Sequence, residues 1–146
     1  MRLGHLFVVI ALTALAFAVG APVYWAFLDT TPPFRSVSVE ITNSRGRVLS
    51  YFLPGETMFV SRGICSDRQL PVTSSRRLIR DDGVSFILQS AVVGELRRGC
   101  FSTGTAQVIP NNIPPGRYRY SVVVQYDQNI LQTGVVELTS PVIEIL

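Results

Sequence analysis

The sequence predicts an all-β body of about seven to nine short strands, a sandwich or small barrel, carried behind one transmembrane helix. Three observations predict it. Leu6 to Leu28 is a run of 23 residues without a charge. Beyond it, apolar residues recur at period two rather than 3.6. Turn-forming residues then punctuate the chain at the short intervals expected of a sheet protein.

The helix comes first. Twenty-three residues at about 1.5 Å each span roughly 35 Å, more than the ~30 Å hydrocarbon core of a bilayer. Arg2 and His5 precede the run and Asp29 follows it, so the positive-inside rule keeps the N-terminus in the cytoplasm and translocates the rest. His5 reads as an interfacial residue rather than a ligand. Tyr24 and Trp25 sit near the outer end, where amphipathic aromatics favour the headgroup layer. Pro22 falls in the last turns, where it bends a helix without ending it. Two other readings stand beside the anchor. Ala16-Phe17-Ala18 matches a small-residue cleavage site, which would make the segment a removable signal peptide. The segment also fits a buried helix of a soluble protein. Against cleavage, the apolar run continues ten residues past Ala18. The expected organisation is a cytoplasmic N-terminus over 1–5, a signal-anchor helix over 6–28, a short linker over 29–34 and an extracytoplasmic domain over 35–146. The linker carries Pro32-Pro33, and five residues reach at most about 17 Å, so the domain stays close to the bilayer.

The strands follow. Val37, Val39 and Ile41 alternate with Ser36, Ser38 and Glu40. Val84, Phe86 and Leu88 alternate with Ser85 and Gln89. The longest case sets Tyr118, Tyr120, Val122, Val124 and Tyr126 against Arg117, Arg119, Ser121, Val123 and Gln125. Such alternation marks half-buried strands. Ser44-Arg45-Gly46, Pro54-Gly55, Asp82-Gly83, Pro114-Pro115-Gly116, Asp127-Gln128-Asn129 and Pro141 mark the turns. Residues 97–104 mix Gly, Ser, Thr and Cys and read as a loop or a broken edge strand. The apolar end Val142, Ile143, Ile145, Leu146 reads as a final strand or as an exposed edge able to pair with a second chain.

Ile113 to Val122, with its Pro-Pro-Gly corner leading into a strand that carries a Tyr, resembles the approach to a late strand in immunoglobulin-like and fibronectin type III-like domains. The resemblance implies an Ig-like β-sandwich over roughly residues 35–145 and says nothing of activity, because that architecture hosts unrelated functions. The antibody-type core, an inter-sheet disulfide against a buried Trp, is missing, since Trp25 is the sole Trp and lies in the apolar segment. In layout, one short anchor plus one such domain, the chain also resembles small accessory membrane proteins of tailed bacteriophages.

Composition excludes much. Of 146 residues only 16% are charged, against roughly 25% for soluble domains. His5 is the sole histidine, and Cys65 and Cys100 are the only cysteines. A zinc site needs about four ligands of those types and carboxylates, and Ser–His or Cys–His catalysis needs a histidine in the body. No catalytic, metal or cofactor site is expected. Cys65 and Cys100 read as a structural disulfide of an oxidising compartment; a redox or intermolecular pair and two free thiols are the alternatives. All 13 basic residues are Arg. Beyond the anchor twelve Arg face ten acidic residues, too near neutrality for a nucleic-acid binder. Arg76, Arg77, Arg80, Arg97, Arg98, Arg117 and Arg119 are candidates for contact with anions, either phospholipid headgroups or an acidic partner. The alternative is a solvated sheet face paired with carboxylates such as Glu40, Glu137 or Glu144. Asp81-Asp82-Gly83 reads as a hairpin turn.

These observations lead to a non-enzymatic, single-pass module with its domain periplasmic or extracellular. Its expected partners are the lipid bilayer, a protein held near the membrane, and a second copy through a sheet edge. The alternative is a secreted or envelope subunit whose N-terminal segment is cleaved.

Overall fold

The computed structural model describes residues 2–27, 31–129 and 132–146. One helix, α1 (Arg2–Phe27), precedes eight strands: β1 (Phe34–Thr42), β2 (Tyr51–Phe52), β3 (Thr57–Ser66), β4 (Leu70–Arg80), β5 (Ser85–Leu96), β6 (Gly99–Val108), β7 (Gly116–Asn129) and β8 (Gln132–Ile145). They form a three-stranded sheet, β1-β3-β6, and a five-stranded sheet, β2-β8-β7-β4-β5. Neighbours are antiparallel except β2, which runs parallel to the end of β8. The all-β architecture with one N-terminal apolar helix is therefore as the sequence predicts. Helix α1 continues through Pro22.

The chain changes sheet at two opposite ends. It leaves the three-stranded sheet after Ser66, runs out and back as β4 and β5 in the other sheet, and returns at Gly99. Both of these crossings lie beside the start of β1, so this end receives the linker. There the Pro33 carbonyl accepts from the Asp67 amide at 2.9 Å. Gln128 Nε2 donates to the Thr31 carbonyl at 3.0 Å, and Arg68 Nη2 donates to the Gln128 carbonyl at 2.7 Å. Asp29, at the start of the expected linker, lies outside the described residues.

Alternation becomes packing. Tyr118, Tyr120, Val124 and Tyr126 are buried, while Arg117, Arg119 and Gln125 are exposed. At the far end Ile41, Phe52, Met58, Val60, Leu78, Tyr118, Tyr120 and Ile143 form one cluster. At the linker end Phe34, Ile64, Leu70, Leu96, Val124 and Tyr126 form another. Burying a side chain of this size stabilises by about 1.5–3 kcal/mol. The Pro-Gly corner works through Tyr118, fully buried, whose hydroxyl donates to the Pro114 carbonyl at 2.6 Å. That closure four residues back is the tyrosine-corner arrangement of sandwich folds.

Two alternatives left open by the sequence are decided, and one reading changes. Only Arg97 and Arg98 of the 97–104 segment form a connection, and the rest is the edge strand β6. The apolar C-terminus is not an open edge: β2 pairs Tyr51 with Glu144 and Phe52 with Ile145, and Ile143 and Ile145 are buried. The turn expected at Asp127-Gln128-Asn129 is absent there, since β7 continues to Asn129.

Candidate interaction surfaces

The hairpin joining β4 to β5 fixes the first group of arginines. Gly83 takes φ +87°, a conformation side chains with a Cβ rarely adopt. Asp82 Oδ1 accepts from the Val84 amide at 3.1 Å, and Arg80 Nε donates to Asp82 Oδ2 at 2.9 Å. The Arg80 side chain, then the Val84 amide, hold the Asp82 carboxyl down at about 2. Arg117 Nε lies 3.7 Å from Asp81 at the same end. The acidic pair is therefore turn structure, as read, and it also neutralises two candidate arginines.

Arg77 points outward from β4. Its Nη2 lies 3.0 Å from Glu137 Oε1 on β8, and the Ser121 hydroxyl of the intervening β7 donates to the same carboxylate. The Ser121 hydroxyl first, then Arg77, hold Glu137 below the usual carboxylate range. Arg119 shares this outer face and is exposed. Arg97 and Arg98 are exposed in the β5–β6 connection at the linker end. Arg76 does the reverse of its neighbours and faces the other sheet. The seven candidates thus occupy the far end, the outer face, the linker end and the interior, and make no single patch.

Arg76 lines an inter-sheet cavity of about 230 Å³ together with Arg62, Tyr120, Val122, Thr103 and Thr105. Arg62, not singled out from the sequence, is only 5% exposed. A signal for it exists: in Met58, Val60, Arg62, Ile64 it occupies an inward position of an otherwise apolar alternation.

Cys65 and Cys100 are bonded, as expected. They are directly opposed on β3 and β6, next to the pair Ser66 and Gly99. The bond lies within one sheet, unlike the inter-sheet bond of antibody domains. On α1, none of the apolar stretch Phe7–Tyr24 is buried, and Tyr24 is exposed; the side chain of Trp25 lies outside those described. Within the body, β5 offers an open edge with Ile87 and Val93 both exposed. Among the described residues no group of three or more His, Cys, Asp or Glu is arranged to hold a metal.

No protein-family model matches the chain, and no curated protein matches it. Solved structures do share its fold. The C-terminal domain of Wzt is 8% identical with a TM-score of 0.59, covering 80% of this chain and 75% of that one. A Niemann-Pick type C2 protein from the Japanese carpenter ant is 8% identical with a TM-score of 0.50, covering 80% of this chain and 95% of that one. The PapD-like domain of human CEP192 is also found, at 16% identity and a TM-score of 0.38, covering 81% of this chain and 89% of that one. At such identities the first two likenesses speak to the sandwich fold alone, and the third carries no weight.

Proposed function

We propose that the chain is a membrane-anchored, non-enzymatic interaction module that holds its sandwich beside the non-cytoplasmic face of a membrane. The observation that carries the reading is the bare helix. Phe7, Leu12, Leu15 and Phe17 are each more than 60% exposed on α1, a continuous apolar surface that water does not tolerate and a bilayer covers. The disulfide supports the side of the membrane, because such bonds persist in oxidising compartments. The inventory supports a non-enzymatic role: the body has no histidine and both its thiols are committed.

Alkaline carbonate extraction and intact mass test the anchor. The expected result is full-length chain in the membrane pellet. A mature product starting near Val19 in the soluble envelope fraction overturns it and favours the cleaved reading that Ala16-Phe17-Ala18 suggests. Protease added to intact spheroplasts tests orientation. Digestion of the sandwich is expected, and a shielded sandwich with an accessible N-terminus overturns the reading.

A further inference from the structure

The core holds two distinct clusters of buried apolar residues, with Val122 packed against both, and the inward positions of β3 and β4 between them are polar. On β3 the inward positions run Met58, Val60, Arg62, Ile64; on β4 they run Leu70, Val72, Ser74, Arg76, Leu78. Val60 and Leu78 belong to the far cluster, Ile64 and Leu70 to the near one. Arg62 and Arg76 therefore enter from opposite sheets at the gap, where the cavity of about 230 Å³ lies. Tyr120 lines it too, and both guanidiniums act on its phenol.

Among the described residues neither guanidinium has a counter-charge. Arg62 donates from Nη1 to Ser36 Oγ at 3.4 Å and from Nη2 to the Leu138 carbonyl at 3.2 Å. Arg76 donates to the side-chain carbonyl of Gln89. Among the described residues no carboxylate lies within 4.0 Å of either. An uncompensated charge in apolar surroundings is costly, and desolvation lowers the Arg62 pKa accordingly. The remaining wall is mostly apolar, from Phe34, Val60, Ile64, Val122 and Val124, with the hydroxyls of Thr103 and Thr105 on the edge strand β6.

We propose that this cavity binds one amphiphile, an apolar chain with an oxyanion head, the head on Arg76 beside Thr103 and Thr105 and the chain over Phe34, Ile64 and Val124. An oxyanion supplies the missing charge through strong charge-assisted hydrogen bonds, and the wall supplies burial for the chain. The size fits a short chain: the cavity exceeds the ~150 Å³ that admits benzene and falls below the ~300 Å³ at which drug-sized sites begin. The head chemistry is shared by a fatty carboxylate and a phosphate-headed lipid fragment. The site stands whether or not α1 is an anchor.

The test uses the full chain in nanodiscs, with empty nanodiscs subtracting partition into lipid. Binding of carboxyl-labelled octanoate is followed by carbon-13 NMR, with octyl phosphate, octan-1-ol, acetate and inorganic phosphate as competitors. One saturable octanoate per chain is expected. Octyl phosphate displaces it; octanol, acetate and inorganic phosphate do so at least tenfold more weakly. A tighter octanoate identifies a carboxylate source and a tighter octyl phosphate a phosphate source. Arg76→Met weakens octanoate at least tenfold without weakening octanol, and Arg117→Met, on the outer face, changes nothing. Ser74→Phe, which fills the cavity, weakens both octanoate and octanol. Near-UV circular dichroism of the buried tyrosines verifies that each variant is folded. Octanoate no greater than in empty nanodiscs, octanol equal to octanoate, or undiminished binding by folded Arg76→Met and Ser74→Phe overturns the proposal.

Discussion

The disulfide staples two of the points at which the chain changes sheet, and its removal is expected to cost several kcal/mol. Cys65 and Cys100 close a loop with a sequence separation of 35. That loop contains the β4–β5 hairpin, which pairs with the other sheet. In the unfolded chain the bond denies this hairpin its free ends; in the folded chain both ends are already fixed by the pairing of Ser66 with Gly99. The loop-entropy relation gives about 3.8 kcal/mol at 25 °C for that separation. Domains carry only about 5–15 kcal/mol in total. The Cys65→Ser/Cys100→Ser double variant should therefore unfold at much lower urea. With a slope of about 1–3 kcal/mol per molar, the midpoint falls by about 1.3–3.8 M. The assay is urea unfolding of the full chain in nanodiscs, followed by near-UV circular dichroism. Reductant should bring the wild type to the variant's midpoint and leave the variant unchanged. A loss below about 1 kcal/mol, or a variant still sensitive to reductant, refutes the assignment of stability to loop closure.

Two further perturbations probe separate parts of the sandwich. Gly134 sits opposite Tyr126, and a Cβ there would lie 2.3 Å from Tyr126 Cζ. The ring is held edge-on against Phe34 with centroids 5.3 Å apart, so Gly134→Ala should cost about 1–3 kcal/mol as overpacking; a melting temperature equal to wild type counts against this. The Asp82 carboxyl, at about 2 against an ordinary 3.8, is depressed in the folded state. Its contribution is complete above the unfolded value and disappears as pH falls through about 4 to 2. Asp82→Asn should thus be less stable than wild type at neutral pH and converge with it in acid, read as urea midpoints across that range; a constant gap would show that the carboxylate's charge is not what stabilises the hairpin.

Legibility in the sequence followed the range of the interaction. The strand phase of Tyr118 to Tyr126 was readable because alternation needs only neighbours along one strand. The Asp82-Gly83 hairpin was readable because Gly83 requires a positive φ and the carboxylate closes on its own turn. Partnering across sheets was not. Nothing near Val142 to Leu146 announces that β2, about ninety residues earlier, covers that end. The inward turn of Arg76 is disguised by its sequence neighbour Arg77, which faces out to Glu137. The pleat puts the two on opposite faces, and only the packing of the other sheet on the Arg76 face makes that face the inner one.

Distance along the strands also decides which arginines can meet headgroups once the sandwich is carried on α1. Strand β4 runs from Leu70 at the linker end to Arg80 at the far end, and its 11 residues extend roughly 35 Å. The attraction of an anionic surface fades over about 8 Å at physiological salt. Arg80 and Arg117 lie beyond that reach when the strands stand away from the membrane, and both already face Asp82 and Asp81. Arg97 and Arg98 lie at the linker end and are exposed. At about 1 kcal/mol per basic residue near the surface, two arginines would orient a domain tethered as proposed but would not hold a free one. Of the seven candidate arginines, the proposed anchoring therefore leaves headgroup contact open to Arg97 and Arg98. The outer-face arginines 77 and 119 are left for sheet pairing and solvent, and Arg62 and Arg76 for the interior.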